Sequence, residues 1–315
     1  METTKKIITG HQSPKTCDLL ILGSVGLDDV KTPFGEVKSV LGGSASYASC
    51  AASFFARPSM IGPFGSDMPS EAIKLLKKKK IDISGLVKTE SKTFRWSGLY
   101  EYDMNEAKTL KTELNALADF VPLLSKEHLN PDFLFLANID TAQQKKVLDQ
   151  VKNRPFVLID TMNYWINSRK TELLELLKQA DMIVMNEEEA RQLFNTPNLI
   201  KAGKEMLKLG AKYAVVKKGE HGALLFSKND FFSAPGYPLE EVKDPTGAGD
   251  SFAGALIGYL AKTKDLSENN VRKAVVYGSV IASFCAEDFS LNYLKNINKK
   301  KIKERYDVFK KIRKF

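Results

Sequence analysis

Short apolar runs alternate with helical patterns through the middle of the chain, and that rhythm restricts the fold more than any other feature. Residues 132–137, 156–160 and 181–186 read as strands, with helices beginning near Thr141, Thr171 and Glu187. Such repeats join parallel strands through right-handed crossovers. Residues 18–22 add an apolar run ending at Gly23, the pattern of a strand buried on both faces. The expectation is an α/β fold with one doubly wound, mostly parallel sheet flanked by helices. Residues 93–102 are β-prone and rich in aromatics, and 31–40 are expected to pair with them.

Composition narrows the function classes. The chain has 315 residues, of which 43% are hydrophobic. No apolar run reaches the roughly 20 residues of a membrane span, and the N-terminus has no signal-peptide core. Cys17, Cys50 and Cys285 form neither metal-ligand spacing nor an even disulfide framework, so a reducing, cytoplasmic setting is the default expectation. The net charge of +9 lies in lysine runs, 77–80 and 299–301, without interleaved aromatics. These read as solvated helix faces, and neither nucleic acid nor membrane is expected as a partner.

The chemistry concentrates in Asp244-Pro245-Thr246-Gly247-Ala248-Gly249-Asp250-Ser251, which runs straight into an apolar helix pattern. The first N–H groups of a helix lack intrahelical acceptors, and glycines let a ligand approach them. Asp250 would stand inside that positive end, with its ionised form favoured and free to accept a proton. The plainer reading is a glycine turn with a first-turn carboxylate. The run is neither a Walker A loop nor a G-x-G-x-x-G fingerprint. Asp28 follows the first strand, where it is either a turn residue or a carboxylate able to hold two sugar hydroxyls. Gly42-Gly43 opens a helix of small residues. Asn138, Asp140, Asp160 and Asn163 follow strand ends and reach the same edge, unranked among themselves. Residues 213–226 read as strand, glycine turn and strand, with His221 in the turn.

Taken together, these elements resemble the ribokinase family, the PfkB-type carbohydrate and nucleoside kinases. The resemblance covers residues 23–286, the whole chain is expected to form one kinase domain over 1–315, and the 244–250 element carries most of the specificity. It implies ATP-dependent phosphorylation of a hydroxymethyl group on a small sugar, with Asp250 as base and the amides of Gly247, Ala248, Gly249 and Asp250 around the phosphoryl group. Asp28, Gly42, Gly43, Tyr47 and Asn138 would face the acceptor. Asn186 and Glu189 match an N-x-x-E element tied to Mg²⁺, with Glu189 acting through water. Lys217, Gly219, Gly222 and Thr246 would face the nucleotide, and Tyr277 would wall the adenine pocket. Asp244 and Thr246 would hold a monovalent cation such as K⁺. Segments 29–40 and 92–120 would form a small β-lid, used for a homodimer in the family, while residues 61–67 match an architectural element. Ribokinases carry asparagine where Gly26 stands here, and both ribokinases and adenosine kinases carry one where Tyr47 stands, which argues against ribose itself as the acceptor. The alternatives are a nucleoside kinase, with Trp96 receiving the base, and a catalytically silent ligand-sensing relative.

Overall fold

The computed structural model describes residues 17–228 and 230–312; the N-terminal residues read above for a signal segment lie outside them. The chain opens with β1 (Leu19–Leu22), then β2 (Gly26–Thr32), β3 (Gly35–Gly42) and helix α1 (Ser44–Ala52). Next come β4 (Pro58–Phe64), α2 (Ser70–Lys78), β5 (Asp82–Lys88), β6 (Phe94–Tyr100) and β7 (Ala107–Glu113). The alternating half follows: β8 (Phe133–Leu136), α3 (Thr141–Gln150), β9 (Phe156–Asp160), α4 (Asn163–Ser168), α5 (Lys170–Leu177), β10 (Met182–Asn186), α6 (Glu187–Phe194), α7 (Leu199–Lys208) and β11 (Tyr213–Lys217). The hairpin strands β12 (Ala223–Phe226) and β13 (Phe231–Ala234) precede α8 (Ala248–Thr263), α9 (Glu268–Ala286) and α10 (Lys299–Ile312).

Nine strands form one sheet in the order β13-β12-β11-β10-β9-β8-β1-β4-β5, parallel except at β12 and β13. Alternate side chains feed two cores. Leu19 and Ile21 join one with α1, α8 and α9, while Leu20 and Leu22 join the other with α5, α6 and α7. Helices on both faces explain why β1 and β8 are apolar at every position. The chain leaves β1 toward β4 on one side and β8 on the other. The strand order therefore reverses at the β1–β8 boundary, where an open α/β sheet forms its ligand crevice.

A second sheet, ordered β3-β2-β6-β7, rises from this boundary as the lid. The expected pairing of its two segments is half met. β2 runs parallel to β6, with Asp28 opposite Trp96 and Lys31 opposite Leu99, whereas β3 pairs only with β2. Asp28 is thus a strand residue rather than a turn residue. Asp67 anchors the start of β6, accepting from the Thr93 N–H at 2.7 Å and pairing with Arg95 at 2.9 Å, which gives residues 61–67 their architectural role.

α1 and α8 cross closely because both are built of small residues. A side-chain carbon on Gly254 or Gly258 would strike the backbone of Ala48 or Ala52. This packing sets the N-termini of the two helices side by side, under the lid.

Candidate active site

The site is assembled where α1 and α8 begin. Ser24 and Ser44 tie β1 to α1 reciprocally, each backbone N–H donating to the other's hydroxyl at 3.0 Å. That pair has no recognisable motif and was not legible in the sequence. It holds Gly42 and Gly43 against the Asp28 carboxylate, which accepts from the Gly43 N–H. Gly43 has φ of 90°, and a Cβ on Gly42 would fall inside the carboxyl group itself. Only glycine at 42 leaves room for Asp28.

Gly247 caps α8 at φ 74°, with the Tyr47 ring lying directly on its Cα. Among the described residues, the N–H groups of Gly247, Gly249 and Asp250 have no acceptor, which leaves three donors open at the helix start. The expected fourth is spent: the Ala248 N–H closes a turn onto the Pro245 carbonyl at 3.0 Å. Asp250 also departs from expectation. Burial, and then the charge of Asp160, push its pKa up to about 7, with Lys217 acting in the opposite sense. Loss of water around the carboxylate outweighs the helix terminus.

Asp160, buried, and Lys217, 15% exposed, form an ion pair at 2.8 Å beside this terminus. Each is the last residue of its strand, and β10 lies between them. Lys217 reaches across the end of β10, a span of roughly two strand spacings or about 10 Å. The sequence reading left Asp160 unranked. The available signal was that both residues end buried apolar strands on the ligand edge. Glu189 is buried here too. It and Asn186 form a capping box, with both backbone-to-side-chain bonds at 2.7 Å, which gives Asn186 a structural duty. Burial raises the Glu189 pKa to about 8, offset by Lys217.

Asp28, 3% exposed, is likewise raised to about 8, chiefly by burial and then by Asp244 and Asp250. Tyr47 is fully buried, with its hydroxyl lacking a partner, and Asp28 and Asp244 are among the charges that hold its pKa up. Tyr100 accepts from the Thr246 hydroxyl at 3.3 Å and so joins the lid to the floor. Residues paired across parallel strands share a face. Trp96 therefore stands beside Asp28, with its indole N–H donating to Thr109 at 3.2 Å. Tyr102, at the end of the aromatic run, lies beyond β6 and is 87% exposed.

Other expected contacts are reassigned. The Tyr277 ring stacks between Tyr259 at 4.5 Å and Tyr306 at 4.3 Å; with both faces covered it offers none to adenine. The Asn138 amide oxygen accepts from the Trp165 indole N–H at 3.0 Å, so its side chain positions Trp165. Gly222 is pressed on the backbone of Ala234 and Pro235, closing the β12–β13 hairpin, whereas Gly219 faces Asn105 of the lid. The Asp244 carboxylate accepts from the N–H groups of Thr246 at 2.9 Å and Ser290 at 3.2 Å, and the Asp244 N–H donates to Ala286. These bonds tie the two loops directly, at the place where a monovalent cation was expected to bridge them.

The comparisons agree with this architecture. Residues 20–296 match the pfkB family carbohydrate kinases. A cytidine kinase from Thermococcus kodakarensis is 27% identical over 257 residues, covering 80% of this chain and 91% of that protein. The nucleoside kinase structure from Methanocaldococcus jannaschii superposes with a TM-score of 0.74 at 19% identity, covering 93% of this chain and 99% of that one. An E. coli protein assigned as a ribokinase II, in complex with ATP and Mg²⁺, gives 0.75 at 18% identity over 93% and 99%. The chain belongs to the pfkB family of carbohydrate kinases, phosphotransferases with a hydroxyl acceptor.

Proposed function

We propose that the chain transfers the γ-phosphoryl group of ATP to a hydroxymethyl group on a small sugar. The observation that carries this reading is Asp250 buried beside three free N–H groups, with Asp28 facing it from the lid. Asp28 holds acceptor hydroxyls and so orients the reacting one. Asp250 takes the proton of that hydroxyl as its oxygen attacks phosphorus, and the N–H groups of Gly247, Gly249 and Asp250 stabilise charge on the transferring group. Tyr47, Trp96 and Tyr100 exclude water, which would otherwise compete as acceptor.

Mg²⁺ fits this site through water rather than through a preformed cage. Asp160, Glu189 and Asp250 surround Lys217, no three such groups among the described residues converge to hold an ion by themselves, and Glu189 would hold Mg²⁺ largely through water. Bound there, it would neutralise charge on the phosphate oxygens. The Asp244 region fits a monovalent cation less well, since its carboxylate oxygens already accept backbone N–H groups, and no step is routed through one.

A second reading, a nucleoside as acceptor, is favoured by Trp96 on the same lid face as Asp28, where an aromatic ring can meet a base. ADP release with Mg-ATP, measured against free sugars and nucleosides with and without potassium, separates the two. Turnover on a free pentose or hexose supports the sugar reading. Turnover confined to nucleosides replaces it with the second, and silence across both sets overturns both. The lid also exposes Phe34 and Leu110, at 59% and 61%. If these cover each other in a homodimer, sedimentation is expected to return twice the 35.1 kDa chain mass and Leu110→Lys to halve it; a monomer for the unaltered chain rules the dimer out.

A further inference from the structure

Lys217 stands amid acidic groups with its side chain 15% exposed, and among the described residues its ammonium makes one hydrogen bond, to Asp160 at 2.8 Å. An ammonium carries three donors, so two are left for the cleft. With little of that charge open to water, an anionic ligand in the cleft would be its natural partner. The position of Nζ says which ligand. It lies 3.2 Å from where a Cβ on Gly249 would stand, beside the first turn of α8 and its free N–H groups. Asp160, Glu189 and Asp250 all feel its positive charge, which favours their ionised forms against burial. Helix terminus and lysine therefore converge on one spot.

The geometry points to Lys217 as a catalytic residue that touches the transferring phosphoryl group, with Asp160 as the residue that positions it. This rests on ATP being the donor. In the step, the bond from phosphorus to the bridging oxygen breaks to leave ADP, the bond to the acceptor oxygen forms, and the acceptor proton passes to Asp250. Lys217 keeps its protons and offsets the negative charge on the non-bridging oxygens. Asp160 aims the ammonium and holds it charged. Glycine at 249 leaves this place open, since a Cβ there would crowd Nζ by a few tenths of an ångström.

The test compares binding of Mg²⁺-loaded ADP and its β,γ-imido triphosphate analogue by calorimetry, together with turnover on the acceptor found above. The unaltered enzyme is expected to favour the analogue at least tenfold, because only the analogue carries the γ group. Lys217→Met is expected to bring that ratio near one and to lower kcat by about a hundredfold or more, the scale of losing one charged donor at a transition state. ADP affinity and acceptor KM are expected to stay within about threefold, a split that general misfolding would not give. Removing one member of a buried pair can unfold a protein, whereas removing both leaves no stranded charge. The Asp160→Asn, Lys217→Met double variant is therefore the fold-safe arm, and its binding ratio is also expected to be near one. Asp160→Asn alone is expected to lower both the ratio and kcat by less than Lys217→Met does. A tenfold preference for the analogue in the double variant, or kcat within threefold of normal in Lys217→Met, overturns the assignment. The binding ratio needs no acceptor, so silence across the acceptor panel would count against the acceptor reading and leave this test intact.

Discussion

Asp250→Asn is expected to lower kcat by about a thousandfold while Mg-ATP binds nearly as before. General-base catalysis contributes on the order of 10² to 10⁴ in rate, and the cradle that binds phosphate is made of backbone N–H groups the substitution leaves in place. Asparagine matches the carboxylate in shape, so packing at the start of α8 is preserved. The pH dependence supplies a second signature. Burial and the Asp160 charge push the Asp250 pKa up to about 7. The base works only when ionised, so kcat/KM of the unaltered enzyme is expected to fall about tenfold per pH unit below that value. The residual rate of the asparagine variant is expected to be flat across the same range. Steady-state rates between pH 5.5 and 8.5 check both, and near-normal turnover at neutral pH would remove Asp250 from the role of base.

Much of this site could be read from residue order. Strand–helix alternation located β8 to β11, and the glycine turn before an apolar helix located the N-terminus of α8. Those signals are local: they depend on periodicity and on which residues tolerate a tight turn. What could not be read depends on distant segments meeting. Lys217 and Asp160 are 57 positions apart and meet only because β9 and β11 flank β10. The Ala248 N–H is a local exception: its loss to Pro245, in the same turn, follows from a backbone conformation that residue identity alone does not fix. Tyr277 misled because an aromatic at a helix position near a nucleotide site looks like a ring wall, while the faces it uses belong to Tyr259 and Tyr306. The ionisation of Asp250 was misjudged in sign because a helix terminus is visible in sequence and burial is not.

Asp28→Asn is expected to have opposite effects on function and on stability, and the opposition is what makes it informative. The carboxylate is almost fully enclosed, and its pKa is raised to about 8 by burial, with Asp244 and Asp250 adding repulsion. A folded-state value above the unfolded one means that the native protein prefers this group protonated. Its contribution to stability is complete below about pH 4 and is lost as pH rises through about 8. Asparagine has no such dependence and can still accept from the Gly43 N–H. The variant is therefore expected to melt several degrees above the unaltered protein at pH 8.5, a few kcal/mol, with the gap closing toward pH 5. Hydrogen bonds from acceptor hydroxyls to a carboxylate are worth about 1.5–3 kcal/mol each, so at pH 8.5, where Asp28 is mostly ionised, losing the charge from two of them is expected to raise acceptor KM about a hundredfold. Melting curves at the two pH values and acceptor titrations at saturating Mg-ATP measure the two effects independently. A melting difference that does not change with pH would show that the carboxylate is not held against its charge. An unchanged KM would mean that the acceptor sits elsewhere under the lid. Both effects together would mean that the enzyme keeps a destabilising carboxylate at Asp28 because the acceptor needs it, which is the trade expected where binding and stability compete for one buried position.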